Sequence, residues 1–225
     1  MLIGTGLVKD LELRAACKLK FNSKIMKLKL CGIRSKASFD LCVELGVDMI
    51  GLNFVETSKR KIDIELASIL SQKKKGSKIV GVFLNPSLDV LRNVLARVDL
   101  DYIQLHGEES LEFIKQCRQE FPNIGIIKAL KVSCESDLQK AYSYDSEVDY
   151  LLLDGSNPGS GKEIVIDLSN VDFDFILAGG VNLGNIGSLS NRYHPIGFDL
   201  ASGIETDREI DLEKIKALYF KTKEL

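Results

Sequence analysis

The sequence is short of most features that announce a specialised class of protein. No apolar run approaches the ~20 residues that span a bilayer, and the N-terminal Met1-Leu-Ile-Gly-Thr-Gly-Leu-Val8 is broken by Lys9-Asp10. That stretch lacks the basic start and small-residue cleavage pattern of a secretory signal, so the cytoplasm is the expected compartment. The two histidines, His106 and His194, fall in no HExxH or His-x-His pattern, and no metal site is expected. The five cysteines (Cys17, Cys31, Cys42, Cys117 and Cys134) are odd in number, show no C-x-x-C spacing and sit in a chain long for a disulfide scaffold. They read as mostly reduced thiols. Nor is there an excess of either charge: 30 basic against 32 acidic side chains leave a net −2. Such a chain has little electrostatic pull on nucleic acid or an anionic membrane, and neither is an expected partner.

What is present is ordinary globular material, 45% hydrophobic and 28% charged over 225 residues. At about 150 residues per domain, this length permits one large domain. A chain of this size buries roughly 70% of its unfolded surface and needs no staple. Short apolar runs recur at Lys27–Cys31, Asp48–Phe54, Lys78–Leu84, Tyr102–Leu105, Gly125–Leu130, Tyr150–Asp154, Phe175–Ala178 and Gly197–Ala201. Several are nearly continuous in Val, Ile and Leu, as parallel strands buried on both faces are. Between them apolar residues follow helical spacing: Leu66, Ile69 and Leu70 after Asp63; Leu88, Leu91, Val94 and Leu95 after the N-cap candidate Ser87; Leu111, Phe113, Ile114 and Cys117; and Leu212, Ile215, Leu218 and Tyr219. Repeated βα units imply a parallel sheet. Their number argues for one closed (β/α)8 TIM barrel. An open doubly wound sheet would show a G-x-G-x-x-G turn after its first strand, where this chain has Cys31-Gly32-Ile33-Arg34-Ser35.

In a barrel the chemistry belongs at the C-terminal ends of the strands. Cys31 ends the first, where a thiol of lowered pKa would serve as base or nucleophile, although free cysteine is commonly a small buried hydrophobe. Asp154 ends the sixth after three leucines; such a carboxylate is costly to bury unless paired or functional, and is otherwise a surface cap. Gly179-Gly180 and Ser202-Gly203 end the seventh and eighth. Turns there frequently bind phosphate in barrels, and a helix start after Asn182 would add its dipole, although plain turn geometry also calls for glycine. Gly159-Ser160-Gly161-Lys162 is a third candidate contributor, without the spacing of a nucleotide P-loop. Arg60, in the basic run after the second strand, suits a bidentate grip on a carboxylate, against the ordinary reading of a solvated face. Gln104 and His106 share one face of the fourth strand by period-two alternation.

Taken in order, Lys27-Leu-Lys-Leu-Cys31-Gly-Ile, Ser58-Lys-Arg60, Gly81-Val-Phe-Leu-Asn85, Gln104-Leu-His106-Gly, Ile127-Lys-Ala129, Leu152-Leu-Asp154, Gly159-Ser-Gly-Lys162, Gly179-Gly180 and Asp199-Leu-Ala-Ser202-Gly203 resemble phosphoribosylanthranilate isomerase from about Met26 onward. The resemblance implies a (β/α)8 barrel enzyme of tryptophan biosynthesis. It would convert N-(5′-phosphoribosyl)anthranilate to the 1-deoxyribulose 5-phosphate by an Amadori rearrangement, without cofactor or metal. By the same resemblance Cys31 is the general base, Asp154 the general acid and Arg60 the carboxylate ligand. Gly161, Gly179, Gly180, Ser202 and Gly203 would hold phosphate, with Gln104, His106 and Asp199 as further pocket residues. Opening the furanose requires a proton on the ring oxygen, so Asp154 should be protonated when substrate binds.

The chain departs from the family in three places. Pro158 stands where a glycine is common, Glu163-Ile-Val-Ile-Asp167 replaces Phe-Asp-Trp, and Lys61 replaces an aromatic after Arg60. Two alternatives stay open from sequence: the related histidine-pathway sugar isomerase, whose base at the first strand end is an aspartate, and a barrel that keeps a phosphate site without catalysis. Residues 1–25 have no counterpart in the family. They are expected to be a mis-assigned start or loose appendage preceding a 26–225 catalytic domain, which would work as a monomer or homodimer.

Overall fold

The computed structural model describes residues 26–155 and 167–225. Eight parallel strands close into a barrel in sequence order: β1 (Lys27–Cys31), β2 (Met49–Asn53), β3 (Lys78–Phe83), β4 (Tyr102–Leu105), β5 (Gly125–Lys131), β6 (Tyr150–Asp154), β7 (Phe175–Ala178) and β8 (Gly197–Leu200). Among the described residues, seven helices wrap it: α1 (Lys36–Leu45), α2 (Ile64–Ser71), α3 (Leu88–Leu95), α4 (Leu111–Glu120), α5 (Glu135–Tyr144), α6 (Ile186–Tyr193) and α7 (Leu212–Lys223). A short hairpin, β9 (Glu205–Thr206) and β10 (Glu209–Ile210), follows β8. Every strand expected from sequence is present, with ends shifted by a residue at most. Asp48, for example, lies just before β2, where its carboxylate accepts the Leu28 N–H at 3.0 Å.

Alternation along the strands builds two cores. Residues pointing outward, such as Leu28 and Leu30, Ile50 and Leu52, Leu151 and Leu153, pack under the helices. Inward residues Met49, Val80, Ile127, Ala129, Leu152, Ile176 and Ala178 fill the barrel. Asp63, Ser87, Ser110 and Asp211 cap α2, α3, α4 and α7 by accepting backbone N–H groups of the first turn, each worth about 1 kcal/mol.

Two helix expectations are corrected. Ile69 is 55% exposed, because α2 buries the stripe through Ala67 and Leu70, and Ile69 lies two positions, some half a turn, from Ala67. The helix expected after Asn182 begins at Ile186; Asn182 instead opens a turn in which its carbonyl accepts the Asn185 and Ile186 N–H groups.

Candidate active site

At the C-terminal mouth the inward positions are polar. Lys29 and Cys31 face inward on β1, and Asp199 does so on β8 in direct register with Lys29. The Lys29 ammonium lies 2.8 Å from Asp199 Oδ1, and the two side chains are 1% and 8% exposed. Lys29 and Cys31, two residues apart on one strand, share that inward face. Opposite Cys31 stands Gly51, where any Cβ would come within 2.9 Å of Sγ, so glycine clears the thiol's space. Burial pushes the Cys31 thiol above its ordinary value, against the pull of Lys29 and Arg60. The expectation of a lowered thiol pKa is therefore corrected: a closed barrel strips water from the sulfur faster than the neighbouring cations compensate.

Gln104 and His106 share the inward face of β4, and their side chains meet, Nε2 to Nδ1, at 3.0 Å. With the amide donating, the imidazole proton sits on Nε2, which faces Asp154 Oδ2 at 3.9 Å from the end of β6. Desolvation holds His106 below the usual imidazole value although Asp154 and Asp199 pull it upward. Gln104 is fully buried, and its Oε1 accepts no hydrogen bond from any described residue.

Arg60 enters from the loop after β2. Gly32, with φ +81°, lets its backbone pass under the arginine stem, since a Cβ there would lie 2.5 Å from Arg60 Cδ. The guanidinium's Nε and Nη2 both donate to Glu205, at 2.6 and 2.7 Å. The bidentate face expected to meet a substrate carboxylate is thus taken by a carboxylate of the chain itself. Arg34, one strand over, donates to a single carboxylate oxygen, Glu209 Oε2 at 2.8 Å, and to the Lys59 and Arg208 carbonyls. Together the two arginines strap the β9–β10 hairpin to the loops after β1 and β2.

The glycine turns adjoin each other. Gly179 and Gly180 have φ of 90° and 67°, and the Gly180 carbonyl accepts from both Asn182 and Asn185 side chains at 3.0 Å. A Cβ on Gly203 would sit 2.2 Å from the Val181 carbonyl, so the Ser202-Gly203 turn rests directly on the other. Gly161 lies outside the described residues.

Three contributors escape a sequence reading: Lys29, Glu205 and Glu109. The last, buried beside Lys128, accepts from Lys128 Nζ at 2.8 Å and from the Asn85 and Gly107 N–H groups. It thereby fixes the loop that follows His106. Of the three only Lys29, a charged residue inside an apolar strand, carried a sequence signal.

A closed parallel barrel whose C-terminal mouth gathers a thiol, a carboxyl, an imidazole and a buried ammonium–carboxylate pair defines a (β/α)8 enzyme working by acid–base chemistry. Residues 28–221 match the N-(5'phosphoribosyl)anthranilate (PRA) isomerase family. The chain is 37% identical over 209 residues to N-(5'-phosphoribosyl)anthranilate isomerase of Brevibacillus brevis, covering 88% of this chain and 93% of that protein. It superposes with a TM-score of 0.79 and 33% identity on phosphoribosyl anthranilate isomerase of Thermotoga maritima, covering 89% of this chain and 100% of the other. A similar isomerase crystallised with reduced 1-(o-carboxyphenylamino)-1-deoxyribulose 5-phosphate is 32% identical with a TM-score of 0.76, over 89% and 100% of the two chains. The chain belongs to the N-(5′-phosphoribosyl)anthranilate isomerase family. It catalyses the aldose–ketose isomerisation of N-(5′-phosphoribosyl)anthranilate to 1-(2-carboxyphenylamino)-1-deoxyribulose 5-phosphate in tryptophan biosynthesis.

Proposed function

We propose that in this reaction Asp154 is the general acid and Cys31 the general base. Asp154 gives a proton to the furanose ring oxygen. The bond from that oxygen to C1′ breaks as the anilino nitrogen's lone pair forms the C1′–N double bond. The Cys31 thiolate then removes the proton from C2′, and the resulting enolamine relaxes to the amino ketone. His106, whose pKa burial holds below the usual imidazole value, stands 3.9 Å from the Asp154 carboxyl. Supporting these roles is one observation: Cys31 and Asp154 both occupy inward positions at the C-terminal ends of their strands, around the mouth that holds Asp199 and His106.

The substrate carries a carboxylate and a phosphate, as does the ligand of the crystallised relative. With Glu205 holding Nε and Nη2, the Arg60 arm left for the carboxylate is Nη1. Gly179, Gly180, Ser202 and Gly203 offer the phosphate a floor of closely approaching backbone, with Gly161 as a further contributor. The buried Gln104 Oε1, which accepts no hydrogen bond from any described residue, suits a sugar hydroxyl, and Asp199 faces inward from β8. The catalytic domain is 26–225, the compartment the cytoplasm, and the working unit one or two copies of the chain.

The test is Cys31→Ala and Asp154→Asn, followed by fluorescence decay of phosphoribosylanthranilate. General acid–base groups contribute about 10²–10⁴-fold, so each variant should lose that much turnover while still binding the reduced product analogue. Near-wild-type turnover in either variant removes that residue from its role.

A further inference from the structure

We infer that Lys29, fixed by Asp199, is a positioning residue for the base, whose buried ammonium supports the thiolate form of Cys31. The inference rests on Cys31 being that base.

A lysine 1% exposed inside a barrel calls for a reason. Replacing a buried ion pair by apolar side chains of similar volume is often neutral or stabilising, so the Lys29–Asp199 pair is weak evidence for stability. Its location gives it another use. Lys29 and Cys31 are two residues apart on one strand and so share one face. The ammonium is held by Asp199 Oδ1 at 2.8 Å, its register partner on β8, and so stays on the face that carries the thiol one inward position further along β1. Deprotonating a thiol in that interior would leave an isolated anion, which a low-dielectric site resists strongly. Beside Lys29 the anion is born next to a cation. Asp199 acts in both directions: it holds the ammonium in place, and its own charge opposes a second anion nearby. The charged groups facing the sulfur are Lys29 from β1, Asp199 from β8 and Arg60 from the loop after β2. His106 faces the same Lys29–Asp199 pair from β4. Burial still outweighs the cations in the resting protein, so the thiolate is a minority species and the acid limb of the rate profile follows its titration.

The experiment titrates Cys31 by thiolate ultraviolet absorbance, each protein measured against its own Cys31→Ser counterpart to remove the other cysteines. The pH profile of kcat/KM is recorded beside it. Lys29→Met should raise the Cys31 titration by about one pH unit or more, as loss of an adjacent opposite charge does. The acid limb of kcat/KM should then fall about tenfold per unit and recover at higher pH. Lys29→Arg keeps the charge and should return the titration toward wild type. Asp199→Asn should move it the opposite way, downward. Opposite shifts separate an electrostatic role from mere damage to the fold. A Lys29→Met protein that titrates like wild type, or variants of Lys29 and Asp199 that shift in the same direction, would overturn the inference. Turnover retained in Cys31→Ala would instead sink the base assignment, a separate result that the titration does not depend on.

Discussion

Lys128→Met is the substitution whose cost the structure defines best. Lys128 sits on the outward face of β5 with its side chain fully buried, and Glu109 beside it is 3% exposed. Its ammonium donates to Glu109 and to the carbonyls of Leu105, Gly107 and Ala129, at 2.7 to 3.3 Å. Burial lowers the Lys128 pKa more than Glu109 raises it, as expected where desolvation rivals the Coulomb gain. Methionine matches the stem but leaves Glu109 as a buried anion held, among the described residues, by the Asn85 and Gly107 N–H groups, and it removes the ammonium's hydrogen bonds to three carbonyls. Breaking one side of such a pair costs about 3–5 kcal/mol. At about 2–4 °C per kcal/mol for a chain of this size, Tm should fall by on the order of 10 °C. The double variant Lys128→Met/Glu109→Gln removes the stranded charge while a glutamine oxygen still accepts the two N–H groups. It should therefore be more stable than Lys128→Met alone. Circular dichroism melts, with urea midpoints at unchanged m, measure both. A single variant melting within about 2 °C of wild type, or a double variant less stable than the single, would refute the reasoning.

Other outcomes follow from the same geometry. Glu205→Gln weakens a charge-assisted grip to a neutral one, so Arg60 should wander and KM for phosphoribosylanthranilate should rise more than kcat falls; the reverse split would mean that Glu205 does not steer Arg60. Gly203→Ala forces a methyl against the Val181 carbonyl, where the spacing is 2.2 Å. The two glycine turns must part, and if they hold the phosphate as proposed, the affinity for the reduced product analogue, measured by calorimetry, should drop about tenfold or more, as a loss near 1.4 kcal/mol implies. Removing residues 1–25 should leave both the melting temperature and turnover unchanged, and a truncated chain that fails to fold would show that the stretch is structural.

Local signals carried the fold because every barrel strand is a short apolar run and five of the seven described helices open on a Ser or Asp cap. Strand ends could be named from sequence for the same reason, which made Cys31, His106 and Asp154 visible. What stayed hidden depends on closure. Lys29 meets Asp199 across 170 residues of chain, and only the β1–β8 seam sets that register. The sign of the Cys31 shift was misjudged because the nearest charged residues are readable in a motif, whereas loss of water is a property of the finished barrel. Glu205 opens the two-residue strand β9 and Glu109 sits in the loop after β4, and nothing in their local pattern says that one will occupy an arginine and the other a lysine.

The seam between the first and last strands has a consequence for biosynthesis. β1 emerges early from the ribosome, yet its partner on that side is made 170 residues later, about ten to thirty seconds at about 5–20 residues per second. Until then one strand edge stays open, a template for pairing with other chains, and the lysine destined for the centre of the barrel remains in water. The ion pair that sits beneath the thiol is thus among the last contacts a newborn chain can make, and an enzyme that can deprotonate its substrate exists only once the ring has shut.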